Sequence, residues 1–224
     1  MAGRQSPLRD AHDARGARFT DFGGWAMPVS FDSIREEHAD VRGVAGKFDV
    51  SHMGEVSVTG PDATTLMQRL TTNDVTRLDP GDAQYSAVVD ESGVMHDDTV
   101  VYRRSDEDGD PAYLFVPNAG HDEWATERWR THRDEWELTA AVENTTEAYA
   151  MVAVQGPDAP ALVADAVTDG TDLDALDRFE ATTAAVDGVD CLVARTGYTG
   201  EAGFELLPPR EAARSVWDAL DCQP

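Results

Sequence analysis

The pattern of apolar and polar positions predicts a strand, a Gly-Pro-Asp turn and a helix at two places in the chain. Residues 56–59 and 152–155 are short and largely apolar, as strands are, and each leads into Gly, Pro and Asp. Proline suits the first turn of a helix, because the amide hydrogen that it lacks would have no partner there. The repetition predicts two related halves. The alternative is that strand, Gly-Pro-Asp turn and helix form a common local structure, which can occur twice without any duplication.

Further apolar segments predict the remaining strands and helices. Strands are expected at 84–90, 99–102, 112–116, 192–194 and 204–206, and helices at 123–136 and 210–220. Separate strands and helices in this order indicate an α+β fold. We predict a first α+β subdomain with the N-terminal segment at residues 1–145, and a second at 146–224. No closing strand follows residue 220, so the second subdomain is expected to be incomplete.

The composition indicates a globular protein without a membrane segment. Apolar residues make up 41% of the 224 positions, which is enough for a sizeable core. No apolar run reaches the roughly 18 residues that a membrane-spanning helix needs. The first residues lack the apolar segment of a secretory signal. We therefore expect a cytoplasmic protein that does not associate with membranes.

The charge is strongly acidic: 43 acidic residues face 18 basic ones, for a net charge of −25, and Lys47 is the single lysine. The acids are scattered instead of forming a tail, which is typical of a solvated surface. At about 1 M salt the Debye length falls to roughly 3 Å, which screens such a surface from its own repulsion. The protein is expected to come from a halophile and to work in a cytoplasm of high salt concentration. Binding to nucleic acid is not expected, because phosphate contacts need clustered Lys and Arg.

Cysteine and histidine positions favour neither a disulfide framework nor a metal site. Cys191 and Cys222 are the only cysteines, and Cys191 lies in an apolar run typical of a small buried side chain. The six histidines show no ligand spacing with a third partner. We expect no metal.

Asp97 and Asp98 are candidate acid or base residues between a Gly turn and a Val-rich strand. Adjacent residues of a strand point to opposite faces, so only one carboxylate can line a given pocket. Tyr102 shares the face of Asp98, so a pocket lined by Tyr102 would select Asp98. The alternative is a surface turn of an acidic protein.

Two other clusters could carry chemistry. Residues 48–54 place Asp49, Ser51 and His52 together, but triad partners are seldom consecutive in sequence, so a structural His52 is favoured over a nucleophile site. Residues 195–203 form a Gly-rich loop without the lysine of a phosphate-binding loop. Tyr198 in this loop could stack on a flat ring while Glu205 accepts from a ring amide. Alternatively, Tyr198 fills the core.

Several motifs in one order resemble the aminomethyltransferase family, the T-proteins of the glycine cleavage system. They are Ser6-Pro7-Leu8, Phe22-Gly23-Gly24-Trp25-Ala26-Met27-Pro28, residues 46–54, Leu70-Thr71-Thr72-Asn73-Asp74, Gln84-Tyr85-Ser86, residues 93–102, Asn118-Ala119, Val154-Gln155-Gly156-Pro157 and residues 195–205. The resemblance implies two related α+β halves and a C-terminal β-barrel, which this chain lacks. It implies transfer of methylene from an aminomethylated lipoyl carrier protein, the H-protein, to tetrahydrofolate. Ammonia and 5,10-methylenetetrahydrofolate are the implied products.

The resemblance also implies roles for individual residues. Asp98 matches the essential carboxylate beside the reactive folate nitrogens, and Glu205 matches the acid that holds the pterin edge. The remaining substrate-binding candidates line the pocket or lie near the folate: Tyr198, Tyr85, Met53, Asn118 and Tyr102.

Departures from the family leave other functions open. Val94 stands where the family has a second Gly, and His96 stands where it has an apolar residue. Members of the family continue for more than about a hundred residues beyond the matched part, and this further segment includes a Gly-Ala-Arg-Asp motif. The chain is therefore expected to be truncated. Alternatives are a folate-binding demethylase-type domain, a non-catalytic folate-binding protein, whose Cys-containing loop is absent here, and an inert fragment.

Overall fold

The computed structural model describes residues 3–224, which contain thirteen strands and six α-helices. The strands are β1 (Arg4–Gln5), β2 (Arg18–Phe22), β3 (Trp25–Ser30), β4 (Gly46–Asp49), β5 (Val56–Thr59), β6 (Ala83–Val89), β7 (Met95–Glu107), β8 (Asp110–Val116), β9 (Ala141–Asn144), β10 (Val152–Gln155), β11 (Ala181–Val186), β12 (Val189–Ala194) and β13 (Gly203–Leu207). The helices are α1 (Arg9–Ala14), α2 (Ile34–Gly43), α3 (Ala63–Leu70), α4 (Asp122–Glu135), α5 (Ala159–Ala166) and α6 (Ala213–Ala219). Short 3₁₀ turns lie at Val75–Arg77, Leu173–Ala175 and Arg210–Ala212. The mixed α and β content confirms the predicted fold class.

The chain forms two compact units. The first contains the residues up to His52 together with Ala148–Pro224, and the second is Met53–Glu147. No helix within residues 3–224 is long and apolar enough to cross a membrane.

Each unit contains a five-stranded sheet, and the two sheets have the same topology. The order is β6-β7-β8-β5-β9 in the second unit and β11-β12-β13-β10-β4 in the first. In each unit one strand leads through a helix and a 3₁₀ turn into three antiparallel strands, the last of which returns beside the first. The same order of elements agrees with the predicted pair of related halves.

The fifth strand explains why the compact units differ from the division at residue 145. Strand β4 precedes β5 in the chain but pairs with β10, whereas β9 precedes β10 but pairs with β5. Each half therefore completes its sheet with the strand that leads into the other half. As a result, residues 3–52 group with the C-terminal residues.

The helix of each half follows directly from its apolar spacing. Helix α3 buries Ala63, Leu66, Met67 and Leu70, which recur at the three- and four-residue steps of one helix face. Helix α5 carries Pro160 in its first turn, whereas Pro157 of the Gly-Pro-Asp turn precedes the N-cap Asp158 and lies outside the helix that the sequence predicted it to begin. These faces cover sheets whose central strands are almost wholly apolar, so each unit has its own hydrophobic core.

The glycine of each Gly-Pro-Asp turn packs against the segment that leads into the fifth strand of its sheet, and it leaves no room for a side chain. Gly60 and Gly156 have φ values of +125° and +139°. A Cβ on Gly156 would lie 2.6 Å from Val44 O and from Ala45 Cα, both in the segment that leads into β4. Any side chain there would push β4 away from its sheet.

Candidate functional site

Asp97 and Asp98 lie in β7 at a β-bulge in the second unit. Val88 pairs with Asp97 and Val89 with Met95, which leaves His96 as the extra residue. A bulge re-aims the side chains beside it. Asp97 is 5% exposed, whereas Asp98 is half-buried. The strand thus presents one carboxylate to the protein and keeps the other accessible.

The side-chain amide of Asn118 bridges the two carboxylates. Asn118 Nδ2 donates to Asp97 Oδ1 at 2.6 Å and to Asp98 Oδ1 at 2.6 Å, so the two oxygens are separated by at most the sum of these distances. Ionised carboxylates about 5 Å apart repel by roughly 3 kcal/mol at an effective dielectric constant of about 20. The cluster therefore depends on its hydrogen-bond donors.

Tyr85 supplies the second donor to Asp98. Tyr85 Oη donates to Asp98 Oδ2 at 2.7 Å, and this bond is the main reason that the pKa of Tyr85 is raised. The backbone of β6 is held in place by Asn73, whose Nδ2 donates to Tyr85 O and whose amide donates to Ser86 Oγ at 3.0 Å. Both oxygens of Asp98 are thus fixed while Tyr85 remains 48% exposed.

Asp97 accepts more hydrogen bonds than Asp98, which the sequence did not indicate. Its donors are Asp98 N at 2.9 Å, Asn118 N at 3.2 Å, Asn118 Nδ2, and His121 Nδ1 at 3.0 Å. His121 was also missed. Its position three residues after Asn118, immediately before a helix, was the available signal.

Met53 and Gly54 lie beside the loop that carries Asn118. Gly54 N donates to Pro117 O at 2.9 Å, and a Cβ at position 54 would lie 2.8 Å from Pro117 Cγ. Close packing here explains the glycine and places the half-buried Met53 next to the loop. Tyr102, four residues after Asp98 on β7, is only 1% exposed.

Glu205 belongs to the first unit, on the central strand β13. It is 7% exposed, and Thr196 Oγ1 donates to its Oε2. Burial raises the pKa of Glu205, and the hydrogen bond from Thr196 opposes that shift in part. A buried carboxyl with one donor on one oxygen retains capacity to accept further hydrogen bonds.

Replacing Glu205 with glutamine is expected to stabilise the chain by about 1 kcal/mol at pH 7, because the neutral amide avoids the cost of burying a charge. The native pKa lies above the unfolded one, so the native state binds more protons between the two values and stability falls as pH rises. The gain from Glu205→Gln should therefore shrink as the pH approaches the usual glutamate pKa of about 4.3. Thermal unfolding in molar salt measures it. The exposed Glu211→Gln is the control, and an equal shift in both variants would refute the expectation.

The Gly-rich loop before β13 is built around the buried side chain of Gln155. Gln155 Nε2 donates to Thr196 O at 3.2 Å, and Thr199 Oγ1 donates to Gln155 Oε1 at 3.0 Å. A Cβ on Gly197 would lie 2.0 Å from Gln155 Oε1. The loop thus wraps an amide too closely for any side chain at position 197.

Tyr198 projects from this loop and does not fill the core. The residue is 59% exposed, and its ring meets the edge of Phe48 with centroids 5.9 Å apart. Desolvation of the phenol, together with the Glu205 and Asp49 carboxylates, raises the pKa of Tyr198, so it stays neutral. An exposed aromatic face in the unit of Glu205 leaves the stacking interpretation open and removes the core alternative.

The Asp49–His52 segment forms a structural hydrogen-bond cluster in the first unit. The buried Asp49 accepts from Ser6 Oγ, from His12 Nε2 at 2.7 Å and from Ser51 N at 3.0 Å. His52 instead packs its ring against Phe22, with centroids 4.9 Å apart, and burial lowers its pKa. No Ser–His hydrogen bond occurs among these residues, so the geometry does not support a nucleophile.

The structure brings Asp98, Tyr85 and Asn118 into one hydrogen-bonded group, with Met53 beside its loop. Glu205 and Tyr198 belong to the other compact unit. Within residues 3–224, no group of three or more His, Cys, Asp or Glu side chains could hold a metal ion.

Comparison with known proteins gives a consistent result. A probable aminomethyltransferase of Halobacterium salinarum is 62% identical over 226 residues, covering all of this chain and 61% of that relative. This relative confirms the halophilic character expected from the charge. The crystal structure of glycine cleavage system aminomethyltransferase T from Bartonella henselae matches with a TM-score of 0.87 and 29% identity, covering 98% of this chain and 57% of that one.

A heterotetrameric sarcosine oxidase from Corynebacterium sp. U-96 shares the fold, with a TM-score of 0.63 at 12% identity, covering 97% of this chain and 92% of that one. The chain spans about 61% of the length of its haloarchaeal relative. The family model described as the GCVT N-terminal domain matches residues 8–222. The chain therefore belongs to the GCVT N-terminal domain family.

Proposed function

We propose that the protein carrying this chain is a tetrahydrofolate-dependent aminomethyltransferase of glycine cleavage. It would transfer the methylene group of an aminomethyl-lipoyl carrier protein to tetrahydrofolate, with release of ammonia and formation of 5,10-methylenetetrahydrofolate. The observation that carries the proposal is the half-exposed Asp98 carboxylate, fixed by Tyr85 and Asn118. The 62% identity to a probable aminomethyltransferase supports it.

Asp98 is proposed as the catalytic carboxylate. Because each of its oxygens already accepts a hydrogen bond, the charge is oriented before a substrate arrives. A preorganised negative charge stabilises positive charge that develops on a reacting amine, and it needs no rearrangement during the reaction. Stabilising that charge is its first role, and transferring a proton is its second.

The carboxylate and the exposed aromatic ring of the first unit fit a reduced pterin ring. A pterin edge presents adjacent ring N–H and amino groups, which pair with the two oxygens of one carboxylate. Glu205 is such a carboxylate, and Tyr198 offers an exposed aromatic face for stacking. We assign the pterin edge to Glu205 and a pocket wall to Tyr198.

The other proposed substrate-binding residues belong to the second unit. Tyr85 and Met53 are proposed as pocket-wall residues, and Asn118 as a residue near the folate. Tyr102 is proposed as a further substrate-binding residue, although only 1% of it is exposed. The carrier protein with its lipoyl arm is the proposed macromolecular partner, and the cytoplasm is the proposed location.

Titration of the 224-residue chain with tetrahydrofolate in molar salt tests the binding part of the proposal. We expect saturable binding that Glu205→Gln weakens by about tenfold or more, since one hydrogen bond to a charged group is lost. The exposed Glu211→Gln should bind as the unmodified chain does. Absence of saturable binding, or equal binding by both variants, would contradict the assignment of Glu205.

A further inference from the structure

Two histidines flank Trp124 in the second unit, and each pairs with an aspartate. His96 Nε2 lies 3.1 Å from Asp90 Oδ2, and His121 Nδ1 lies 3.0 Å from Asp97 Oδ2. The two imidazoles are similarly exposed, at 42% and 45% of their side chains. Their partners differ, because the Asp90 side chain is 35% exposed and that of Asp97 only 2%. Of the two histidines, only His121 pairs with a carboxylate that is shielded from water.

The hydrogen bond from His121 is the shorter of two on one oxygen of Asp97. Asp97 Oδ2 accepts from His121 Nδ1 at 3.0 Å and from Asn118 N at 3.2 Å. An ionised carboxylate only accepts hydrogen bonds, so His121 carries its proton on Nδ1. Loss of His121 would leave this buried oxygen with one long hydrogen bond.

The orientation of the Asn118 amide depends on both carboxylates. Each hydrogen of Nδ2 points to a carboxylate oxygen, one on Asp97 and one on Asp98. In the flipped orientation the carbonyl oxygen of Asn118 would face two negatively charged oxygens and repel both. The hydrogen bonds to both carboxylates therefore fix the orientation of the amide.

We propose that His121 is a positioning residue for Asp98: by donating to Asp97, it holds that buried carboxylate in place and so keeps the Asn118 amide aimed at Asp98. The importance of Asp98 for the reaction rests on the proposed function, but the hydrogen-bond chain itself does not. No hydrogen bond joins the His121 side chain to Asp98 or to Tyr85, so its effect passes through Asp97 and Asn118.

Three variants separate this positioning role from general stability. His121→Leu removes the donor, and it removes no helix cap, because the His121 side chain makes no capping hydrogen bond to α4. His121→Asn restores a donor close to the position of Nδ1. His96→Leu is the matched control, since it removes the other histidine that packs against Trp124 but removes no hydrogen-bond donor of Asp97.

The direct readout is hydrogen exchange of the Asn118 side-chain amide, followed by NMR in the 224-residue chain in molar salt. We expect exchange to quicken by about tenfold in His121→Leu, to recover in His121→Asn and to be unchanged in His96→Leu, because one hydrogen bond to a charged group is lost. Unchanged exchange in His121→Leu would overturn the proposal. If that variant does not fold, His121→Ser, which introduces a favourable N-cap side chain at the start of α4, takes its place under the same criterion.

The second readout is steady-state methylene transfer in the complete protein. We expect kcat to fall by about tenfold in His121→Leu with the KM for tetrahydrofolate unchanged, since ground-state binding is not affected. A rise in KM at constant kcat would contradict a role through Asp98. If the unmodified protein transfers no methylene, the proposed function fails, whereas the exchange measurement still decides the role of His121.

Discussion

Asp98→Asn is expected to lower the rate of methylene transfer by about 10²- to 10³-fold in the complete protein, the range for loss of one preorganised electrostatic group. Asparagine has nearly the same shape but no charge. It also offers a single acceptor oxygen to the two donors that converge on Asp98, Tyr85 Oη and Asn118 Nδ2. Tetrahydrofolate affinity should change by no more than about twofold, because the interaction is made in the transition state.

Rapid-quench measurement of a single turnover, together with a folate titration, tests this prediction. Asp134→Asn on the exposed side of α4 is a matched control, since it removes the same charge from the same unit. Near-normal transfer by Asp98→Asn would rule out Asp98 as the catalytic carboxylate. A large loss of folate affinity would instead indicate that Asp98 binds the ground state.

Asp49→Ala is expected to destabilise the chain by about 3–5 kcal/mol, because it removes a buried acceptor and leaves several buried donors unsatisfied, each at a cost of about 1–3 kcal/mol. Asp49 is the common acceptor for Ser6, His12 and the backbone of Ser51. Without it, the fully buried His12 and the hydroxyl of Ser6 lose their partner. The N-terminal segment would then lose its polar attachment to β4.

The pH dependence of stability has a defined direction at Asp49. Burial alone would raise its pKa, but the hydrogen bonds from His12, Ser6 and Ser51 outweigh burial and lower it. A depressed native pKa contributes stability above the unfolded value of about 3.9, and that stability is lost as the pH falls through the native value. The stability difference between the unmodified chain and Asp49→Ala should therefore narrow in acid.

Denaturant unfolding in molar salt at pH 7 and at about pH 3 measures both effects. The exposed Asp21→Ala controls for loss of one negative charge in the same unit. A cost below about 1 kcal/mol at pH 7, the level of an exposed pair, would show that the cluster around Asp49 is not a structural anchor.

Local patterns predicted much of this fold because the determinants were local. The two Gly-Pro-Asp turns, each with a strand before it and a helix after it, depend on residues that are close together in the sequence. The exchange of β4 and β9 between the two sheets was not predictable in this way. Strand partners are chosen by long-range pairing, and neither segment carries a sequence signal that names its partner.

The candidate site shows the same limit. Strand alternation placed Asp97 and Asp98 on opposite faces, but it did not show that Asp97 would be the more buried of the two. The same rule predicted that only one of the two carboxylates could line a given pocket. However, the Asn118 side chain, in the loop after β8, donates hydrogen bonds to both carboxylates. That loop and the bulge at His96 are tertiary features, so the contribution of His121 through Asp97 was not visible in the sequence.

In the proposed function, the complete protein moves a one-carbon unit from the lipoyl arm of the carrier protein to tetrahydrofolate. The most direct test mixes the protein with aminomethyl-lipoyl carrier protein and tetrahydrofolate in molar salt. Ammonia and 5,10-methylenetetrahydrofolate are then measured in one turnover. We expect equal amounts of both products, formed only when tetrahydrofolate is present and largely lost in Asp98→Asn. Ammonia release that does not depend on tetrahydrofolate, or products formed equally well by Asp98→Asn, would contradict it.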